Sequence, residues 1–300
     1  MKGIRLALPA EMNNGLKWVI LLSLAFVWGS SFILMKKGLL MFSNYEVGSF
    51  RILLAAAVLT PFSFRALRYF NRSELWKVAI VGLIGNLLPA YLFATAQLSA
   101  PSSLAGMLNS LVPLFTVLIG SVLFGAHAKR TQWLGVVVGL IAAIVLIAGS
   151  GANIESIPIA ASSMIVIATI CYAISVNVIY TYLSKRSSVN VAAIGLLLAS
   201  PLPLVHLVAS GFWSRAFSSE GHLEALGYLS ILAIIGTALA VVVFNYLIKH
   251  SSAVFSSSVT YLIPVVAMLW GLLDDELISL QQVLAVVGIF TAIRMINSSR

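Results

Sequence analysis

The sequence predicts an all-α membrane protein: ten transmembrane helices arranged as a 5+5 inverted repeat, with both termini cytoplasmic. Three observations predict it. First, 60% of the 300 residues are apolar and 9% charged, where a soluble domain carries about a quarter charged residues. Second, basic residues gather in alternate connections between apolar runs. Third, residue patterns of the first half return in the second at a nearly constant offset.

A spanning helix needs about 20 mostly apolar residues. Ten such runs fall near 17–35, 45–66, 74–96, 101–124, 131–149, 157–184, 188–210, 224–248, 252–273 and 280–297. The first follows a basic stretch and ends in Ile33-Leu34-Met35-Lys36-Lys37. It lacks the short core and small-residue exit of a signal peptide, so it is expected to be retained. The second carries Arg51 about six residues from its outer end, which at about 1.5 Å per residue is roughly 9 Å deep. That depth favours snorkelling to the interface, with Glu46 close by, over direct substrate contact. The third holds Asn86, which shares a face with Ala90, Phe93 and Gln97.

The fourth run contains Asn109-Ser110-Leu111-Val112-Pro113 near its middle. Proline has no N–H, so the carbonyl four residues back, on Asn109, loses its intrahelical partner. Hydrocarbon cannot satisfy that carbonyl, which must face other helices, a polar side chain or a water-filled cavity. Asn109, Pro113, Thr116 and Gly120 form one helical stripe. The fifth run closes the first half. The sixth holds Tyr172 and the single cysteine, Cys171, a small core residue on this reading. The seventh ends near His206, and the eighth carries Thr237 where the third has Asn86. The ninth repeats the stripe as Thr260, Pro264, Ala267 and Gly271. The tenth ends the chain's apolar sequence. Trp18, Tyr69, Trp76 and Trp133 stand at run ends and read as an interfacial belt.

One set of connections, with the two termini, carries Lys2, Arg5, Lys17, Arg65, Arg68, Arg72, Lys77, Lys129, Arg130, Lys185, Arg186, Lys249, Arg294 and Arg300. The other carries Lys36, Lys37 and Arg215. Positive residues stay in the cytoplasm, which places both termini inside. The net charge of +9 is therefore a topology signal and not a nucleic-acid footprint.

Five helices per half is an odd number, so the halves must point in opposite directions. Gly85, Pro113 and Gly120 align with Gly236, Pro264 and Gly271 at an offset of 151, while Trp28, Ser31 and Leu54-Ala55 align with Tyr172, Ser175 and Leu198-Ala199 at 144. The difference falls in the connection around 213–222, where insertion is tolerated. Inverted repeats carry substrate at the repeat interface near the midplane.

Trp28-Gly29-Ser30-Ser31-Phe32 in the first run, Phe50-Arg51 in the second and Leu111-Val112-Pro113 in the fourth resemble the drug/metabolite transporter superfamily, in particular its ten-helix EamA-type exporters. So do Asp275-Glu276-Leu277-Ile278-Ser279, Gln282 and Gly288 at the entry to the last run. The first half departs at that turn, with Gly125, Ala126 and His127. The resemblance implies two five-helix EamA repeats, over 17–149 and 157–297. It further implies a location in the bacterial inner membrane and export of amino acids or other small metabolites.

The candidate substrate-binding residues are Trp28, Asn86, Tyr91, Asn109, Pro113, Tyr172, Thr237, Tyr261 and Pro264, expected to line a central hollow. Tyr246 and Trp270 are expected to add aromatic faces to it, and Asn177 and Asn245 rank below. A bland alternative stands beside this one: small and polar stripes can simply pack helices closely. No Asp, Glu or His occupies the middle of a run, so proton exchange at a buried carboxylate lacks a candidate. The central carboxylate of the related small multidrug-resistance exporters is missing from the first run. A neutral hollow suits zwitterionic amino acids or neutral aromatic metabolites better than phosphate esters.

The expected partners are thus a small-molecule substrate and the lipid bilayer, with no nucleic acid, cofactor, metal or catalytic residue. An intramembrane enzyme fails on inventory, because Asp274 and Asp275 are adjacent and peripheral and no HExxH occurs. A non-transporting scaffold or sensor, a passive facilitator, a multidrug exporter and a proton-coupled exporter all fit the same fold. No motif specifies an oligomer.

Overall fold

The computed structural model describes residues 12–100, 102–148, 159–273 and 279–297, and every regular element among them is helical. The first half runs through α1 (Asn14–Leu39), α2 (Asn44–Leu67), α3 (Arg72–Gly82), α4 (Leu88–Ala96), α5 (Ser102–Asn109), α6 (Val112–Leu123) and α7 (Arg130–Ala148). The second runs through α8 (Ile159–Tyr182), α9 (Ser188–Ala199), α10 (Pro201–Ala209), α11 (Phe212–Ala216), α12 (Glu220–Ala233), α13 (Ala240–His250), α14 (Ala253–Ser257), α15 (Val259–Leu273) and α16 (Leu280–Asn297). The turn with Asp274, Asp275 and Glu276, the side chains of Ala267, Trp270, Gly271 and Gln282, and the chain ends beyond 12 and 297 lie outside the described residues.

Polar residues start these helices. Ser43 and Asn71 form capping boxes with Glu46 and Glu74, while Asn13, Ser219 and Ser252 accept a single backbone N–H each. Such caps satisfy N–H groups that have no intrahelical partner. Five helical stretches are long and apolar enough to cross a membrane: Asn14–Leu39, Asn44–Phe64, Arg72–Ala96, Ile159–Tyr182 and Glu220–His250. A sixth joins α9 and α10 across a 41° bend. Four shorter apolar helices stand beside them among the described residues. The fourth predicted run is interrupted between Asn109 and Val112, and the ninth between Ser257 and Val259.

The helices of the two halves interlock. α8 packs on α4 and α6 of the first half, and α1 packs on α12 and α15 of the second. α2 lies along α9, and α7 along α16. Without water between them, membrane helices gain mainly from close packing, so small residues mark the contacts. A Cβ added to Gly82 in α3 would stand 2.0 Å from the Gly195 carbonyl oxygen of α9, so these two backbones touch. A Cβ on Gly29 would meet Val266 at 2.7 Å, and one on Gly38 would meet Leu229 at 2.4 Å. Many large apolar side chains face outward, Trp76 and Tyr69 among them, as lipid contact allows. Cys171 is buried and unbonded.

Two spans contain a π-helical turn, Leu83–Leu87 between α3 and α4 and Ile234–Leu239 between α12 and α13. They start 151 residues apart, from Leu83 to Ile234, the offset of the sequence repeat. A π turn widens the helix and releases a carbonyl from the i−4 ladder. Each time a polar side chain answers it. Asn86 Nδ2 donates to the Val81 carbonyl at 2.8 Å, and Thr237 Oγ1 donates to the Leu232 carbonyl at 3.1 Å.

Candidate functional site

Between the halves lies a cavity of about 110 Å³ whose walls come from both. The two π turns meet it through Gly85, Asn86 and Thr237. Each π turn is also touched by the first helix of the opposite half. A Cβ on Gly85 would sit 2.1 Å from Ser175 Oγ of α8, and one on Gly236 would sit 3.0 Å from Ser31 Oγ of α1. Ser31 and Ser175 are repeat equivalents, so the close approaches are paired as the sequence offsets are.

Five of the nine predicted residues line this cavity: Trp28, Asn86, Asn109, Tyr172 and Thr237. Trp28 donates its indole N–H to the Gly236 carbonyl at 3.0 Å and meets Phe244 edge-on at 5.0 Å between ring centroids. Tyr172 stacks on Phe93 at 6.1 Å. Asn109 is 5% exposed, and its Oδ1 has no hydrogen-bond partner.

The other four lie elsewhere. Tyr91 shares a hydrogen bond with Ser49 Oγ at 2.8 Å and covers Gly48 on α2, beside Tyr45 and His206. Tyr261 is fully buried, donates to the Val136 carbonyl of α7 at 2.9 Å, and lies over Gly139. Pro113 is buried in the first turn of α6, where its neighbour Val112 reaches the wall instead. Pro264 is buried inside α15 near Gly106. The Thr260 carbonyl, which Pro264 leaves without an intrahelical donor, lies 3.4 Å from the Ser110 hydroxyl of the other half. Thr260 itself lines the cavity. The rest of the first stripe serves packing: Asn177 of α8 donates to the Thr116 carbonyl at 3.0 Å and lies against Gly120.

Arg51 corrects the sequence reading. Its side chain does not snorkel to the interface; it lines the cavity and donates Nε to Thr237 Oγ1 at 2.7 Å. The π turn supplies the physical reason, because the hydroxyl that closes it keeps an accepting lone pair for the guanidinium. Glu46 is not its partner either. That carboxylate caps α2 through Ser43 and pairs with Arg215 of α11. A cation costs about 2.5–3.5 kcal/mol at the centre of a spanning helix and less toward its end, and no acidic side chain among the described residues pairs with Arg51. The sequence signal was present: Arg51 is the one basic residue well inside an apolar run, which by itself nominates a functional position. Asn245, ranked low from sequence, is 1% exposed, lines the cavity, and has an unpartnered Nδ2. Among the described residues no group of His, Cys, Asp and Glu has metal-ligand spacing.

The EamA-like transporter family matches residues 16–148 and, a second time, 159–298. The chain is 29% identical over 255 residues to the "Uncharacterized inner membrane transporter YedA" of Escherichia coli strain K12, covering 84% of this chain and 80% of that protein. It is 24% identical over 266 residues to the "Probable terminal-alkyne amino-acid exporter" of Streptantibioticus cattleyicolor, with 84% and 82% covered. A protein solved by crystallography shares the fold with a TM-score of 0.71 at 16% identity, over 94% of this chain and 96% of that one.

Proposed function

The chain belongs to the EamA-like transporter family, and on that premise we propose that it exports small zwitterionic or neutral metabolites, amino acids among them, across the inner membrane. Ten spans, in two inverted halves of five with both termini cytoplasmic, would expose the cavity alternately to each side. The family is one of membrane transporters, and the location agrees with the printed name of the Escherichia coli relative. Amino-acid cargo agrees with the name of the Streptantibioticus relative.

One observation carries the reading. The cavity is walled at repeat-related positions from both halves, Trp28 with Tyr172, Ser31 with Ser175 and Asn86 with Thr237. A site on a pseudo-two-fold axis is what two inverted halves can open in turn. A scaffold or sensor has no use for polar groups there, and would close the centre with apolar side chains.

The experiment is an efflux screen in a strain overproducing the full chain, over amino acids and aromatic compounds, repeated in proteoliposomes. Faster efflux of at least one compound is expected. No difference from the empty strain for any compound, and no flux in proteoliposomes, would leave the scaffold reading. Dependence of efflux on the proton gradient then separates an exchanger from a facilitator.

A further inference from the structure

The two halves differ most tellingly at Arg51. Its repeat equivalent, 144 residues on, is Gly195, which forms the backbone contact with Gly82. The helix before the first π turn therefore meets a bare backbone, whereas Thr237 of the second π turn meets a guanidinium. The repeat is broken at the point where a single positive charge enters the cavity. That charge has a fixed pose, since Thr237 holds Nε, while the terminal NH2 groups of a guanidinium form a flat fork suited to a carboxylate.

Two further groups lining the same cavity are orphaned. Asn109 Oδ1 is a buried acceptor without a donor, and Asn245 Nδ2 a buried donor without an acceptor. Buried polar atoms are almost always paired, and exceptions call for an absent partner. The same cavity is also lined by the aromatic residues Trp28, Phe93, Tyr172 and Phe244.

We propose that Arg51, braced by Thr237, holds the carboxylate of the transported solute, and that Asn109 Oδ1 receives a hydrogen bond from its ammonium group. The substrate class is then a small α-amino acid with an apolar or aromatic side chain. One guanidinium balances one negative charge, so a phosphate monoester, doubly charged near neutral pH, is a poor match. This inference rests on the transporter reading and narrows it.

The test uses purified full-length protein in nanodiscs and proteoliposomes. The probes are L-phenylalanine, L-tryptophan and L-leucine, each against its carboxamide, with 3-phenylpropionate as a carboxylate lacking the amine. Binding is read by thermal shift and exchange by counterflow. At least one amino acid should bind about 10- to 100-fold tighter than its carboxamide, the range for a charge-assisted hydrogen bond. Arg51→Gln should abolish that preference, and Arg51→Lys should keep part of it. Asn109→Leu should weaken the amino acid and leave 3-phenylpropionate unchanged. Equal binding of acid and amide by the unmodified protein, or failure of all four carboxylates to bind, overturns the proposal without needing any variant. If the amides nonetheless exchange in counterflow, only the carboxylate assignment falls and the transporter reading stands. Retention of the acid preference in Arg51→Gln also overturns it.

Discussion

Asn86 and Thr237 close π turns of the same register in the two halves of the chain, each donating to the carbonyl five residues back, on Val81 and Leu232. The polar residues that sequence reading placed in a cavity thus carry a second duty. Each satisfies a backbone group that hydrocarbon would leave bare.

That duty predicts a stability cost separate from any effect on transport. Asn86→Leu and Thr237→Val should each destabilise the protein by about 1–3 kcal/mol, the usual cost of stranding a buried polar group. Thr237→Val should cost more, because Arg51 loses its acceptor as well. Thermal melts in detergent measure this; unchanged melting in both variants would mean that the turns close without these side chains.

The glycine contacts make a sharper contrast. Gly85→Ala should destabilise by about 1–3 kcal/mol through overpacking, since the new methyl falls 2.1 Å from Ser175 Oγ and 2.5 Å from its Cβ. Ser175→Gly removes both atoms, so the double variant should recover much of the loss. Gly82→Ala has no such remedy, because it meets the backbone of Gly195. Measured melting temperatures that rank the double variant no better than Gly85→Ala would refute the stated geometry.

Among the described residues two ion pairs tie the halves, and their burial ranks them. Glu74 holds Arg186 through two hydrogen bonds of 2.8 and 2.7 Å with 17% and 34% of the side chains exposed, whereas Glu46, paired with Arg215, is 2% exposed. Arg186→Ala should therefore cost about 1 kcal/mol or less. Arg215→Ala strands a buried carboxylate and should approach about 3 kcal/mol. Denaturation midpoints giving the opposite order would overturn the ranking.

Topology has its own check. On the proposed topology, with both ends of the chain in the cytoplasm, a periplasm-active reporter joined after Arg300 should stay dark. One inserted after Ser218 should be active. Activity at the C-terminal fusion would invert the assignment.

Composition and spacing made the membrane class and the family readable, because bilayer thickness acts on sequence directly. The repeat offset also relates the two π turns, through Gly85 and Gly236, though nothing in the pattern announced a change of helix type. What stayed hidden was direction around each helix. Tyr261 and Trp28 read alike as aromatic residues in mid-run, yet one packs on Gly139 and the other faces the cavity. Arg51 was misread for the related reason that depth alone favours snorkelling, while the decisive fact is a hydroxyl 186 residues away in sequence. Pairing across that distance is set by packing, which one chain's periodicity does not reveal.

The prolines, matched in sequence, are not matched in structure, and this sets the last prediction. Pro113 lies in the first turn of α6, after α5 has already ended at Asn109. A helix's first N–H groups have no intrahelical partner, so proline there sacrifices no hydrogen bond. Pro264 sits within α15, and the carbonyl it frees on Thr260 is met by Ser110 of the opposite half. Pro264→Ala should restore the bond from residue 264 to Thr260, adding about 0.5–1.5 kcal/mol, and loosen the cross-half contact at Ser110. Pro113→Ala should change stability little and leave the break before α6 in place. A cysteine placed at Thr260, in a Cys171→Ala background, should therefore change its reactivity toward a membrane-impermeant thiol reagent in Pro264→Ala and not in Pro113→Ala. Equal changes in both would show that the two prolines act as a symmetric pair of kinks after all, and no change in either would place the moving element outside α6 and α15.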